Sequence, residues 1–332
     1  MKKAVSVLFA LALVLQLGFF SAQPGITAYA AAKVPVASVK VTPASISWAV
    51  GNTGAVKAVV SPANASVKSV SWKSSNPAVA SVDSTGKVKA LNVGSAIITC
   101  TAKDGSGKKA VVKATVKAPA TIAEIVTLYN NAANATKAYK GVVKATKYSG
   151  TTTKINSMSP DMKVLKDKAK EMLPNDYEKK ASITFKNGKD IKGKETLVRY
   201  LPRDGEAKMS VLQAAGVKSA TCTKTGTGWK IVITLKAETV NSLNKKPKYH
   251  AQCMDTLNMS DDDLKPFKLT GSPTVTYTDK TTIISTVNAK GLLNNVHVAE
   301  PARIKGTLSW SFVDLIKLDV TGTWKQDITL TY

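Results

Sequence analysis

The chain has 332 residues, with 47 lysines and arginines against 22 acidic residues and a formal net charge of +25. This length is sufficient for two domains that each bury their own core, and such a basic surface favours polyanionic partners. Nucleic acid is not expected, because the basic residues are overwhelmingly lysine and no aromatic-rich basic motif is present to stack bases. The alternative explanation is that the lysines only solvate sheet faces and protect strand edges.

The first thirty residues have the pattern of an export signal. Lys2 and Lys3 precede an apolar run over residues 4–20, and Ala28-Tyr29-Ala30 supplies the small-x-small pattern of a cleavage site. We therefore predict a signal peptide over residues 1–30. The mature chain is expected to have no transmembrane span and to be secreted, extracellular or associated with the cell envelope. A retained N-terminal anchor is the alternative.

Residues 31–118 alternate apolar and polar side chains over short segments that turn signals separate. Val39-Lys40-Val41 and Lys87-Val88-Lys89-Ala90 are two such segments, and a turn cluster at residues 83–87 leads into the second. Short strands with frequent turns are typical of a β-sandwich. The valines are expected to face the interior and the lysines the solvent.

Within this region, residues 71–82 (SWKSSNPAVASV), followed by Gly86-Lys87-Val88 and by residues 94–98, resemble the group-2 bacterial immunoglobulin-like domain. The resemblance covers residues 36–117 and implies an all-β Ig-like sandwich that serves as a spacer or an adhesive domain on exported proteins. Its marker residues have structural explanations, namely a tryptophan between the sheets, a turn at a sheet margin and glycines at tight bends. These residues are Trp72, Asn76, Pro77, Gly86 and Gly94.

Residues 119–332 are predicted to form an α+β domain with a mostly antiparallel sheet. Apolar residues at helical spacing predict a helix over 121–139, and a lysine-rich helix is expected over 161–172. Asn187-Gly188 and Gly226-Thr227-Gly228 predict hairpin turns. We also expect a strand pair over 142–155 with a turn near Ser149-Gly150, helical patches over 238–243 and 251–257, and long strands over 268–287, 296–310 and 312–332.

The opening helix, followed by strands with alternating lysines, is similar to the curved half-barrel of exported lipoprotein carriers and related lipid-binding proteins. This resemblance is architectural and mainly concerns residues 121–155. It implies a sheet that wraps around helices and leaves an apolar groove for acyl chains. The candidate groove residues are Ile283, Val287, Leu308, Trp310, Phe312 and Leu318. The alternative is that these six residues belong to an ordinary core.

Three cysteines make an odd number, so at least one does not pair within the chain. Cys100 lies in an apolar run, where the expected role is that of a small buried hydrophobic residue. Cys222 and Cys253 could form a disulfide in an oxidising compartment. The sequence leaves open whether these two residues meet.

No motif in the sequence supplies catalytic chemistry. His250 and His297 stand outside any metal-binding or catalytic spacing, no serine occupies a G-x-S-x-G elbow, and no glycine-rich loop precedes a helix to bind phosphate. Ser260-Asp261-Asp262-Asp263 is better explained as a helix start than as a calcium loop. We therefore predict no catalytic residue, no metal site, no cofactor and no enzymatic activity.

Three functional hypotheses follow. The first is a non-enzymatic binding or adhesion protein of the cell envelope or extracellular space, whose partner is an anionic cell-wall polymer, a glycan or a surface protein. The second is a carrier or sensor of a lipophilic ligand, such as a lipid, in the C-terminal half-barrel. The third is a glycan-active enzyme, which the aromatic content of 6% disfavours because a sugar-stacking cleft uses aromatic rings.

Overall fold

The computed structural model describes residues 32–190, 192–202, 209–257, 259–311 and 313–332, with the backbone alone at 179–181, 261 and 314. The predicted signal peptide at residues 1–30 lies outside the described residues. A sandwich of short strands comes first in the described chain, and an open antiparallel sheet with helices follows it. This is the fold class that the sequence predicts.

The N-terminal sandwich contains nine strands in three sheets. The strands are β1 (Ser38–Thr42), β2 (Ser45–Ala49), β3 (Thr53–Ala55), β4 (Lys57–Ser61), β5 (Val70–Ser74), β6 (Ala80–Val82), β7 (Lys87–Ala90), β8 (Gly94–Ala102) and β9 (Lys109–Lys117). One sheet has the order β2-β9-β8-β5, a second has the order β3-β7-β6, and β1 pairs with β4. The β2–β9 pair is parallel, and it joins the first strands of the sandwich to its last.

The alternation of apolar and polar residues decides which face of each strand is buried. On β9, Val112, Ala114 and Val116 are buried while the residues between them are exposed. Their side chains share one core with Val88 of β7 and with Val56, which lies between β3 and β4. Period-two patterning therefore produces the sandwich interior as the sequence predicts.

The marker residues of the sandwich have packing and turn roles. Trp72 is half-buried on β5 and packs against two hydrophobic clusters of the sandwich. Gly86 has a φ of +87°, and a Cβ there would lie 2.4 Å from the Val56 carbonyl oxygen and 3.3 Å from the Trp72 ring. The turn therefore requires glycine both for its conformation and for its close contact. Asn76-Pro77 lies in the turn after β5, and Gly94 begins β8 with a φ of +148°.

The second unit is built on one sheet of ten strands. These are β10 (Val143–Ser159), β11 (Asp176–Lys186), β12 (Lys189–Asp190), β13 (Val217–Thr225), β14 (Gly228–Leu235), β15 (Glu238–Val240), β16 (Lys268–Tyr277), β17 (Thr282–Val287), β18 (Leu293–Trp310) and β19 (Val313–Thr331). The order is β12-β11-β10-β19-β18-β17-β14-β13, with β16 beside the far end of β18 and β15 beside β16. Strands β12 and β13 do not pair with each other among the described residues, so the sheet is open.

Helices and turns connect these strands. They are α1 (Ile122–Lys137), α2 (Lys163–Met172), the single turn α3 (Leu197–Tyr200) and three 3₁₀ turns at Ala214–Gly216, His250–Gln252 and Asp261–Leu264. Helix α1 begins with a capping box in which Thr121 and Glu124 bond each other's backbone N–H groups. Ser260 and Asp263 form the same arrangement at the last 3₁₀ turn. Both predicted helices, and the predicted cap at residue 260, are thus confirmed.

Three local predictions are wrong in whole or in part, and one of them is the helical patch over 251–257, where only the 3₁₀ turn at His250–Gln252 forms. Residues 142–155 do not form a strand pair, because β10 is one strand of 17 residues that continues through Gly150. A Cβ at Gly150 would lie 1.7 Å from the Asp176 carbonyl oxygen of β11, so this glycine permits a close approach of two strands and does not make a turn. Residues 238–240 form β15 instead of a helix, since they pair with the end of β16.

The long strands β10, β18 and β19 divide the second unit into two halves. In the α1 half, Ile125 and Tyr129 of α1 share one core with Val296 and Ile328 of the sheet. In the α2 half, α2, residues 255–257 and residues 259–267 cover the other end of the same strands. A smaller cluster there includes Met158, Leu165, Phe267, Leu308 and Ile316.

Candidate functional site

A cavity of about 440 Å³ lies in the α2 half, between the sheet and the elements that cover it. Its floor is formed by β10, β18 and β19. Its roof is formed by the end of α2, residues 172–174, and by residues 255–257 and 259. An apolar extension of about 50 Å³ shares Met172, Leu173, Met259, Ile304 and Val320 with it. Together they make one elongated space along the far end of the sheet.

Small side chains on the sheet explain why this space forms. Ala302 of β18 pairs with Gly322 of β19, and Gly322 pairs with Thr153 of β10. A Cβ at Gly322 would meet only the methyl groups of Thr153 and Thr151, at 3.7 and 3.8 Å. The row therefore leaves room above the sheet, and larger residues in the neighbouring rows form the walls.

The roof is attached to the sheet by hydrogen bonds. The Thr153 hydroxyl donates to the Pro174 carbonyl oxygen at 2.9 Å. The Tyr277 hydroxyl, at the end of β16, is hydrogen bonded to Thr256 and to the backbone of Leu257. These bonds connect both parts of the roof to the strands that line the cavity.

One buried carboxyl side chain of the sheet faces the cavity. Glu300 of β18 lines the cavity and is only 3% exposed. Its Oε1 lies 3.0 Å from His250 Nδ1, and His250 Nε2 lies 2.9 Å from the Lys236 carbonyl oxygen. Because a carbonyl only accepts, Nε2 carries a hydrogen, and a second proton lies between Nδ1 and Oε1. The pair is therefore neutral overall, as imidazolium and carboxylate or as imidazole and carboxylic acid.

The surroundings hold this shared proton in place. Burial raises the pKa of Glu300, and this outweighs the lowering by His250. Burial lowers the pKa of His250, but its hydrogen bonds to Glu300 and the Lys236 carbonyl and the nearby charges of Glu300 and Glu238 raise it overall. Both pKa values lie above their ordinary positions, which favours retention of the shared proton by the folded pair.

The side chains in the cavity lining that can carry a charge near neutral pH are all acidic. They are Glu300, Asp255 and Asp263, and no lysine, arginine or histidine lines it among the described residues. Asp263 is exposed and lies where the cavity meets solvent. The cavity thus has the opposite sign to the chain as a whole, whose formal net charge is +25.

The six predicted groove residues occupy different places. Leu308 and Leu318 line the apolar extension of the cavity. Trp310 packs against Phe267 with ring centroids 5.8 Å apart. Ile283 and Val287 belong to the filled core of the α1 half, and Phe312 lies outside the described residues.

The cysteines do not form the disulfide that the sequence left open. Cys253 is buried near the 3₁₀ turn at His250–Gln252, and its Sγ donates to the His250 carbonyl oxygen at 3.7 Å. Cys222 is half-buried on β13, and no disulfide joins the two. Cys100 is a fully buried residue of the sandwich core, as predicted, and burial raises the pKa of its thiol.

A second cleft of about 320 Å³ lies between the sandwich and the second unit. Lys87 and Lys89 of β7 and Lys290 line it, together with polar side chains that include Asn131 of α1. Asn131 Nδ2 donates to the Gly51 carbonyl oxygen at 2.6 Å, which ties the helix to the sandwich at this cleft. Unlike the first cavity, this cleft carries positive charge.

A third polar group lies on the outer face of the sheet. Asp327 is hydrogen bonded to both His297 and Tyr177. His297 and Asp327 side chains are more than one-third exposed, and neither lines the cavity or the cleft described above. Within the described ranges, no group of three His, Cys, Asp or Glu side chains is arranged to hold a metal ion.

The sandwich matches a known domain family. Residues 35–117 match the bacterial Ig-like domain (group 2). This confirms the resemblance that the sequence motifs indicate. Domains of this family occur in extracellular or surface proteins, and no helix among the described residues is long and apolar enough to cross a membrane.

The other comparisons concern parts of the chain or remote similarity. Two uncharacterized proteins of Clostridium acetobutylicum are 45% identical over 56 residues and 44% identical over 57 residues, each 17% of this chain. The chain covers only 6% and 14% of their lengths. A multidomain protein including DUF1735 from Bacteroides ovatus is 12% identical, with 86% of this chain and 89% of the other covered at a TM-score of 0.15. A TM-score this low does not establish a shared fold.

Proposed function

We propose that the protein is a non-enzymatic binding protein of the extracellular or cell-surface type whose second unit holds a lipophilic small molecule in the cavity of the α2 half. The observation that carries this proposal is the partly open cavity above the Ala302–Gly322 row. Its volume of about 440 Å³ falls in the range of small-molecule sites, roughly 300–1,000 Å³. The Ig-like sandwich then acts as a spacer that presents this unit.

The composition of the lining supports a lipophilic occupant. Leu173, Met259, Ile304 and Val320 contribute apolar side chains to the cavity and to its extension. An apolar ligand removes this surface from water, which stabilises a complex by about 25 cal/mol for each Å² buried. Asp255 and Tyr277 lie close enough to Glu300 to interact with it, and polar groups beside apolar walls are typical of ligand sites.

A cavity-filling substitution tests the proposal. Gly322→Leu places a side chain in the cavity without close contacts at Cβ, and leucine suits a strand better than glycine does. The matched control is Thr323→Leu, which adds the same side chain to the next position of β19, on the opposite face of the sheet. Binding of Nile red, an uncharged apolar dye, to the full chain is followed by fluorescence, with native mass spectrometry to detect any co-purified ligand.

The two variants are expected to differ. Gly322→Leu should weaken dye binding by about tenfold or more, equivalent to about 1.4 kcal/mol, while Thr323→Leu should bind as the wild type does. Circular dichroism and thermal melting establish that both variants fold. Equal binding by all three proteins would place the dye on the surface and contradict the proposal.

A second candidate function rests on the basic cleft. Lys87, Lys89 and Lys290 line one space between the two units, and clustered lysines attract anionic polymers such as wall polymers or acidic glycans. Replacing all three with glutamine should weaken binding of the full chain to purified wall teichoic acid, most clearly at low salt. The control replaces three exposed lysines of the outer sheet face, Lys144, Lys154 and Lys317. Equal losses in both triple variants would show that only the overall charge acts.

A further inference from the structure

One oxygen of Glu300 remains available to a ligand. Oε1 is paired with His250 Nδ1, and this is the one hydrogen bond that the Glu300 carboxyl group makes among the described residues. Glu300 also lines the cavity. Because Oε2 is not one of the fully enclosed atoms that lack a partner and Glu300 lines the cavity, this oxygen can accept a hydrogen bond from a bound ligand.

Oε2 accepts hydrogen bonds in both states of the pair. When His250 is an imidazolium, Glu300 is a carboxylate and Oε2 is one of its two acceptors. When the proton resides on Oε1 and is donated to Nδ1, Oε2 is the carbonyl oxygen of the acid. The head group of the ligand must therefore be a donor, because the protein offers an acceptor at this point in either case.

The rest of the lining selects a positive charge. Asp255 and Asp263 are the other side chains in the cavity lining that can carry a charge near neutral pH among the described residues. Tyr277 and Trp324 also line it, and aromatic rings attract cations more than anions. A carboxylate or phosphate head group would find no lysine, arginine or histidine in the lining among the described residues.

We infer that the cavity takes an amphiphile with an apolar chain and a primary ammonium head group, whose N–H donates to Glu300 Oε2. This inference rests on the proposed function and names the class of ligand. The apolar chain lies along Ile304 and Val320 towards the extension lined by Leu308 and Leu318. This preference of the cavity for a cationic head group is the opposite of what the net charge of the chain predicts. A protein with a formal net charge of +25 attracts anionic amphiphiles to its surface.

Three ligands that share one alkyl chain and differ only in their head groups measure the contribution of the head group to binding. Decylamine, decanol and decanoate compete with Nile red for the full chain, below their micelle concentrations and at physiological ionic strength to screen surface charges. Decylamine should bind about tenfold more tightly than decanol, and decanol more tightly than decanoate, because a hydrogen bond to a charged group is the stronger kind.

The variant Glu300→Gln tests whether the carboxyl group of Glu300 is the acceptor for the ammonium head group. Glutamine retains the shape of the side chain and can donate its amide hydrogen to His250 Nδ1, but it carries no charge. It should remove most of the advantage of decylamine over decanol, because the amine loses a hydrogen bond to a charged group whereas the alcohol does not depend on that charge. Asp83→Asn in the sandwich removes one negative charge from a position outside the cavity and should leave the order of the three ligands unchanged.

Each outcome has one meaning. If decylamine binds no better than decanol or decanoate, the inferred head group is wrong while the lipophilic cavity stands. If none of the three displaces the dye, the proposed function itself fails. If Glu300→Gln does not fold, Asp255→Asn takes its place and should reduce the same advantage by a smaller factor. An amine advantage that survives in folded Glu300→Gln would overturn the assignment to Glu300.

Discussion

In the α1 half of the sheet, β18 and β19 present Val296, Val298 and Ile328 to helix α1, and these side chains are fully buried. In the α2 half, the same two strands present Ala302 and Gly322 to the end of α2 and the loop after it, and a cavity results. Strand pairing continues through both halves without a change of face. The size of the inward side chains, and not the backbone, therefore separates a filled core from a binding cavity.

The two halves also differ in polarity. In the α1 half, apolar side chains of a helix pack against the sheet. This packing stabilises the fold but provides no polar group to bind a ligand. The α2 half contains Glu300 and His250 at its inner end and acidic groups at its rim. A region that is less well filled and contains a buried ionisable pair is where ligand binding is expected.

The sharpest test of this contrast replaces the same residue type in both halves. Ile283 of β17 is fully buried in the α1 half, whereas Ile304 of β18 lines the cavity and is half-buried. Ile283→Ala should lower the free energy of unfolding by about 3 kcal/mol, as expected for a cavity in a filled core. Ile304→Ala should lower it by about 1 kcal/mol, because less apolar surface loses its contacts.

Urea denaturation of the full chain and both variants measures these changes. The slopes of the transitions should remain equal, so that the midpoints report stability alone. Equal losses at the two positions would mean that the α2 half is packed as tightly as the α1 half. The proposed binding cavity would then lose its main support.

The second prediction concerns pH. Because the pKa of His250 is raised above its usual value of 6.5, the unfolded chain releases a proton above pH 6.5 that the folded pair retains. The free energy of unfolding should therefore fall as the pH rises above 6.5, by at most about 1.4 kcal/mol per pH unit for one linked proton.

Glu300→Gln provides the control for the pH effect. Without the carboxylate, the main group that raises the pKa of His250 is lost, and burial lowers that pKa instead. The fall in stability above pH 6.5 should shrink or disappear in this variant. Urea denaturation at pH 6, 7, 8 and 9 distinguishes the two proteins, and parallel profiles would show that the pair does not hold the shared proton.

The smallest effect is expected on the outer face of the α2 half. Arg303 donates two hydrogen bonds to Asp319 across β18 and β19, and this contact lowers the pKa of Asp319 to about 2. Arg303→Ala should raise that pKa towards 3.8, its ordinary value, and change stability less than Ile304→Ala does, since the arginine is half-exposed. An NMR titration of the carboxylates measures the shift. An unchanged pKa of Asp319 would show that this ion pair does not form in solution.

Much of the local structure follows from sequence patterns. The sandwich strands, the capping box at Thr121, the hairpin at Asn187-Gly188 and the long late strands all depend on residues close to one another in the chain. The prediction of local structure is wrong where the conformation of a segment depends on contact with an element far away in the sequence. Gly150 is the clearest case, because its role comes from the approach of Asp176 on another strand.

The candidate site had one signal in the sequence. Val296, Val298, Glu300 and Ala302 occupy alternate positions, so an acidic residue stands on the face that is otherwise apolar. This pattern marks Glu300 as an inward carboxyl group. Choosing groove residues by apolar character alone instead selected Ile283 and Val287, which belong to the filled core.

The sequence by itself determined the Ig-like sandwich, the α+β character of the second unit and the basic charge of the whole chain. It also determined which alternate residues of the strands face inward. The tertiary structure decided which inward residues meet. It paired Ala302 with Gly322, brought His250 to Glu300 across 50 positions of the chain, and laid residues 172–174 over the resulting space. Side-chain alternation is a local property that a sequence displays, whereas a cavity depends on the summed volumes of residues from separate strands and loops, and only their register fixes that sum.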